Sequence, residues 1–275
     1  MWPTRHRTGP ARSARATSAP TARGRPAPTR RRPGRARRRS AHPGQPNRRT
    51  SSWTIRRNRR DAIRRGSISF EDRARWLQSI AKQGELGGLF ADMVGGAIRN
   101  IEETFSTISA DSLHAAAKAI WASENTYTLG VGVNNANARN FTYLASTGMV
   151  RFHAIPRQGN SAIDDLAFAG PKDVLIAITS KPYRSEVVAA VAVAREQGMT
   201  IIGISDSPAS PIIRNADHGF VVRIDTPQFF PSSVSTLALL ETLLSFVIAS
   251  ASDEIVDRVE RFHARRHRLG IYHED

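Results

Sequence analysis

The chain has 275 residues, no cysteine and a formal net charge of +16. The missing thiols exclude disulfides and thiolate metal sites and fit a cytoplasmic setting. The longest apolar stretch, 237–251, contains Glu241 and at about 15 residues is too short to cross a bilayer, so no membrane partner is expected.

The charge sits at one end. Residues 1–66 hold 21 Arg, no Lys and a single acid, Asp61, whereas 67–275 hold 19 basic and 23 acidic residues. The same segment holds 8 of the 15 prolines and has almost no apolar periodicity. Such a stretch cannot bury enough surface to offset its ordering entropy, which predicts a disordered Arg/Pro-rich segment over 1–66. It reads as a nucleic-acid-binding arm that releases phosphate counterions, as a solvated tail, or as the product of a wrong start or shifted frame in GC-rich coding DNA. No apolar run follows the basic residues, so it is not a secretory signal.

Linker helices are expected over 67–108. Ser69 caps a helix with Phe70, Ala74, Leu77 and Ile80 at helical spacing. Gly84, Gly87 and Gly88 interrupt it. A second helix, 89–108, places Phe90, Val94, Ala97, Ile98, Ile101 and Phe105 on one face, predicted to pack on the domain or on a second subunit. Asp111 opens a third, with Leu113, Ala116, Ala117 and Ile120 inside.

The main domain is expected over 109–252. Short apolar runs at 126–131, 150–155, 173–179, 200–205 and 219–224 read as strands. Helical segments follow at 135–147, at 184–197 with Gly198 as its C-cap, and at 232–250; 206–211 reads as a turn. Five βα units in this length predict an α/β fold with one doubly wound parallel sheet. A charged helix and tail complete the chain over 253–275.

Small polar residues gather at the carboxyl ends of the strands, where open α/β sheets bind ligands. Gly130 and Gly132 suggest a tight strand-to-helix turn that lets a ligand approach the backbone, with Asn134 and Asn135 as hydrogen-bond partners. A dinucleotide is disfavoured, because Asn135 replaces the third glycine of the phosphate fingerprint and 155–157 carries no acid; no cofactor is expected. The stretch Thr179, Ser180, Lys181, Pro182, Tyr183, Arg184, Ser185 joins a strand to a helix N-terminus. Outward amides, the helix dipole and two cations suit a phosphate or carboxylate there; ordinary capping by Thr179 or Ser185 is the alternative. Asp206, Ser207, Ser232 and Ser233 complete the pocket or serve as turn residues. His263 and His267, four apart among arginines, read as an exposed charged face rather than a metal site. Asp164 and Asp165 read as a helix start.

These residues resemble the SIS (sugar isomerase) domain and, more narrowly, the effector-sensing half of RpiR-type bacterial transcription regulators. The resemblance covers about 68–250. It rests on 129–132, 170–179, 183–188 and 204–211, the last followed by Ala216-Asp217 and 229–232. It implies a three-layer sandwich around a five-stranded parallel sheet, a homodimer or tetramer, and a phosphosugar or other anionic carbohydrate-derived effector at the strand ends. It implies sensing rather than catalysis. The family's phosphate loop reads Ser-x-Ser-Gly-x-Thr, against which only Thr179 keeps a hydroxyl, and Pro182 removes an N–H. A complete regulator carries a helix-turn-helix ahead of the linker, whereas here 69–80 resembles only its last helix. The expectation is a DNA-reading domain lost or mistranslated upstream of about Ser67. The alternatives are a phosphosugar isomerase, with Glu186, His153 or His218 as its base, and a stand-alone effector-binding protein.

Overall fold

A computed structural model describes residues 69–273; the expectations for 1–66 lie outside the described residues. The elements are α1 (Phe70–Lys82), α2 (Leu86–Phe105), α3 (Ala110–Ala122), β1 (Thr126–Gly130), α4 (Asn134–Ser146), β2 (Phe152–Ile155), α5 (Ala162–Asp165), β3 (Val174–Ile178), α6 (Ser185–Glu196), β4 (Thr200–Ser205), α7 (Pro211–Arg214), β5 (His218–Val221), α8 (Val234–Ala249) and α9 (Asp253–Arg268).

The five strands are all parallel, in the order β2-β1-β3-β4-β5. β3 is central and buried at every position, as its continuous apolar sequence requires. Val174, Ile176 and Ile178 join one core with residues of α3, α4 and α8, while Leu175 and Ala177 join the other with residues of α5, α6 and α7. The α/β sandwich with helices on both faces is therefore as expected. β1 leads into α4 on one face and β3 into α6 on the other, so the crossovers part between these adjacent strands and open a crevice at their carboxyl ends.

Several boundaries differ from the sequence expectation. β2 starts at Phe152 because Val150 is exposed and the Arg151 guanidinium turns back to the carbonyls of Ile120, Trp121 and Ser123, closing the end of α3. β5 stops at Val221, since the backbone beyond it bonds to side chains of α1 and α2 instead of to a strand. Residues 211–214 form a short helix rather than part of a turn. Gly87 and Gly88 do not interrupt a helix but lie in the first turn of α2, where amides lack helical partners in any case. Gly84, at φ +69, makes the break. Asp164 and Asp165 end α5 instead of starting it; Asp164 closes a capping box with Ser161.

The largest departure concerns the face that α2 presents. Gly96, Asn100 and Thr104 are the buried positions, and Phe90 (71 % exposed), Val94 and Ile98 lie outward. The reason is polar. Asn100 Nδ2 donates to the Asp225 carbonyl at 2.6 Å, and Thr104 Oγ1 accepts the Arg223 N–H at 2.9 Å. α1 completes the seat: Arg73, 2 % exposed, donates to the carbonyls of Thr226 (3.3 Å) and Phe229 (3.2 Å), and Phe70 stacks on Phe230. Backbone that has left the sheet must find partners elsewhere, and these side chains provide them. Arg73→Ala strands two carbonyls and opens a cavity. We expect a loss of about 2–4 kcal/mol, measured by urea unfolding.

Candidate functional site

The edge that carries the carboxyl ends of the strands is built from four loops. In the first, Gly130 admits α4 hard against β1: a Cβ there would lie 2.2 Å from the Asn134 carbonyl oxygen. Gly132, at φ +63, supplies the left-handed turn. Asn135 donates through Nδ2 to the Gly130 carbonyl (3.2 Å) and accepts from Arg139 Nε (2.9 Å). Asn134, buried in the first turn of α4, accepts from Asn137 Nδ2 at 3.4 Å. All four residues build the turn itself, so packing and local bonding account for them.

The second loop joins β3 to α6. Thr179 is buried, and its N–H extends the ladder to the Ile204 carbonyl at 3.2 Å. Ser180 is half-buried, and Lys181, Arg184 and Ser185 are exposed. Neither Thr179 nor Ser185 caps α6, which starts at Arg184 without a side-chain bond; α4 and α8 also start uncapped. Three long helices thus bring free amides to one edge, a polarity that favours electron-rich ligand atoms.

The third loop is tied to the second. Asp206 Oδ1 accepts the Lys181 N–H and the Ser205 hydroxyl, both at 3.3 Å. The Tyr183 phenol is held above its ordinary pKa by burial and then by the Asp206 carboxylate; it lies among Asp206, Ser207 and Ser210 with no hydrogen bond of normal geometry. The Ser210 hydroxyl, fully buried, is likewise unpartnered. Ser207 makes a local turn by accepting the Ala209 N–H at 3.2 Å. At the start of α8, Ser232 is buried and accepts the Val234 N–H at 3.4 Å, and Ser233 is exposed.

A cavity of about 490 Å³ opens beside this edge, lined by residues of the α2–α3 turn and of the β4 and β5 ends. Among the fourteen residues singled out from sequence, Asp206 alone lines it. Thr107, Ser109, Ser112, Phe220 and Arg223, which also line it, were not identified; Ser109 is recognisable as a helix cap, but nothing local ties it to Asp206. The candidate bases are scattered. Glu186 lies in the first turn of α6, whereas His153 pairs with Tyr127 and bonds to Asn125 near the amino ends of the strands, and His218 opens β5 at that same end. His263 bonds to Tyr272 within an aromatic cluster on α9. Among the described residues no group of three or more His, Asp and Glu could hold a metal ion, and no single helix is long and apolar enough to cross a membrane.

Such an edge defines an α/β ligand-binding domain of the doubly wound, sugar-handling type. Residues 119–246 match the family model of the SIS domain, and the chain carries that domain and its fold. Over 111 residues it is 31 % identical to arabinose 5-phosphate isomerase KdsD of Escherichia coli K12, covering 40 % of this chain and 33 % of the enzyme. The chain thus spans about a third of the length of the curated relatives it matches. The sugar isomerase domain of an RpiR transcription factor from Sphaerobacter thermophilus superposes with a TM-score of 0.60 at 23 % identity, covering 64 % of this chain and 98 % of that one. The NanR protein of Vibrio vulnificus, complexed with ManNAc-6P, superposes with a TM-score of 0.56 at 20 % identity, covering 63 % and 67 %. Both structural likenesses are likenesses of fold.

The loop after β2 closes the edge through Asp165, whose side chain has no exposed surface. It accepts from the Arg157 N–H (2.6 Å), Arg157 Nε (2.7 Å) and Asn160 Nδ2 (2.7 Å). Burial pushes this carboxyl up, but the three bonds outweigh it and hold the pKa below its ordinary value. A depressed folded pKa stabilises fully above the unfolded value of about 3.9 and loses that contribution as pH falls through the folded pKa. Asp165→Asn is therefore expected to cost about 1.5–3 kcal/mol at neutral pH. The difference from the native chain should shrink in acid, as read by unfolding at a series of pH values.

Proposed function

We propose that this chain is the carbohydrate-sensing part of an RpiR-type transcription regulator. In this role its SIS domain binds a carbohydrate-derived effector, a phosphosugar or a related compound, at the carboxyl edge of the sheet. The observation that carries the reading is the seat of α1 and α2. Both helices bond to the β5–α8 segment at 223–229, directly beyond the ligand edge. An effector that shifts this segment changes the contacts of the two helices nearest the N-terminal part of the chain, which is the route a sensor needs. The fold likeness to an RpiR factor and to NanR with its bound ManNAc-6P supports the same reading.

Catalysis is the second reading, favoured by the 31 % identity to an isomerase. Moving a proton between sugar carbons requires a base within reach of the substrate. The positions of His153 and His218 at the amino ends of the strands support sensing over turnover. A homo-oligomer belongs to the sensor reading as well, and the outward stripe of Leu86, Phe90, Val94 and Ile98 on α2 is the surface it would bury.

Two measurements test the proposal. In a thermal-shift screen of sugars and sugar phosphates, at least one compound should raise the melting point, by mass action on the folded state. Incubation with aldose and ketose phosphates should yield no interconversion. Turnover with any member of the panel would transfer the chain to the isomerases. Retention of specific upstream DNA in a mobility-shift assay at elevated salt would assign a working DNA-reading part to the whole chain.

A further inference from the structure

The cavity beside Asp206 has charges that are already matched. The start of α3 is capped by Ser109, whose Oγ accepts the Ser112 N–H at 3.2 Å, so this helix end offers no free cap position to an anion. Arg223, the one cation lining the cavity, has its Nε 3.3 Å from Glu103 Oε2. Asp206 uses Oδ1 for both of its bonds, to the Lys181 N–H and the Ser205 hydroxyl, and Oδ2 accepts none of normal geometry. A carboxylate can accept at about four positions, so Asp206 presents spare acceptor capacity. Ile108 and Phe220 add an apolar wall.

The neighbouring loop points the same way. Oxyanions are gripped by consecutive free amides in such turns. Here Pro182 has no N–H and the Lys181 N–H is taken by the chain's own carboxylate. Lys181, Arg184, Glu186 and Asp206 balance formally across the two loops. Two buried hydroxyls, of Tyr183 and Ser210, remain without partners beside Asp206. Spare acceptors and donors without net positive charge suit a ligand rich in hydroxyls and repel one bearing a phosphate.

We propose that the effector is a neutral, hydroxyl-rich carbohydrate, a free sugar or polyol without a phosphate ester, seated in this cavity with Asp206 accepting from its hydroxyls. This rests on the sensor reading above and narrows its ligand class. Its volume, about 490 Å³, lies within the range of small-molecule sites, and its wall includes the α2–α3 turn, so occupancy reaches the linker helices directly.

The test uses the full chain and matched pairs: free pentoses, hexoses and hexitols, each against its phosphate ester, with inorganic phosphate as a further probe. Elevated salt suppresses anion retention by the Arg-rich residues 1–66. By thermal shift and calorimetry, a neutral member should bind the native chain and its ester should not. Asp206→Asn should weaken the neutral ligand about tenfold or more, as loss of a charged acceptor does, and should admit the ester. Thr107→Trp, at an exposed position on the cavity wall, should abolish binding while leaving the circular dichroism unchanged; it carries the test should Asp206→Asn fold poorly. Tighter binding of an ester than of its neutral partner by the native chain overturns the inference and leaves the sensor reading standing. Neutral binding that neither variant disturbs overturns the cavity assignment. Absence of binding by every compound, charged or neutral, overturns both the inference and the sensor reading.

Discussion

The two-sided burial of β3 is the constraint on which the rest of this structure depends. A parallel strand with apolar side chains on both faces needs a strand on each edge and a helical layer above and below. β1 and β4 satisfy the edges, and the helices divide into the α3/α4/α8 and α5/α6/α7 layers. Because β1 and β3 send their helices to opposite faces, the crevice between them follows from the same requirement. The location of the ligand edge is thus a by-product of core formation rather than a separate design.

The second organising feature is the backbone between β5 and α8. Once the chain leaves the sheet at Val221, its carbonyls and amides need partners. Arg73, Asn100 and Thr104 satisfy them from the linker helices. A polar seat of this kind is specific in register, since each donor must meet its carbonyl, yet it buries little apolar surface. It therefore suits a contact that shifts with ligand state, and it leaves the apolar stripe of α2 free to face outward.

The loops of the site show how one carboxylate alters an inherited scaffold. Asp206 stitches the β4 loop to the β3 loop through Lys181, satisfying an amide internally where a ligand anion could have done so. Gly130, Gly132, Asn134 and Asn135 are likewise occupied with their own turn. What the edge retains for a ligand are helix-start amides, a pair of unpartnered buried hydroxyls and the free side of Asp206.

Much of this architecture is legible in the sequence because its causes are local. Runs such as Val174–Ile178 declare buried strands, Ser69 declares a helix start, and Gly198, with φ +76, declares a helix end. Hydroxyls and glycines at the strand ends mark the edge for the same reason. By contrast, periodicity shows that α2 has an apolar face but not which neighbour will cover it, and the structure turned that face outward because three polar bonds to a distant loop outweighed it. The bond between Lys181 and Asp206, the cavity shared by Ser109 and Arg223, and the removal of His153 and His218 to the opposite end join residues far apart in the chain. The sequence by itself determined the elements, their order and the ligand edge, since these follow from local pattern and chain connectivity. Only the tertiary structure decided which polar groups are consumed and which stay available, because hydrogen-bond satisfaction is settled between segments and not within them.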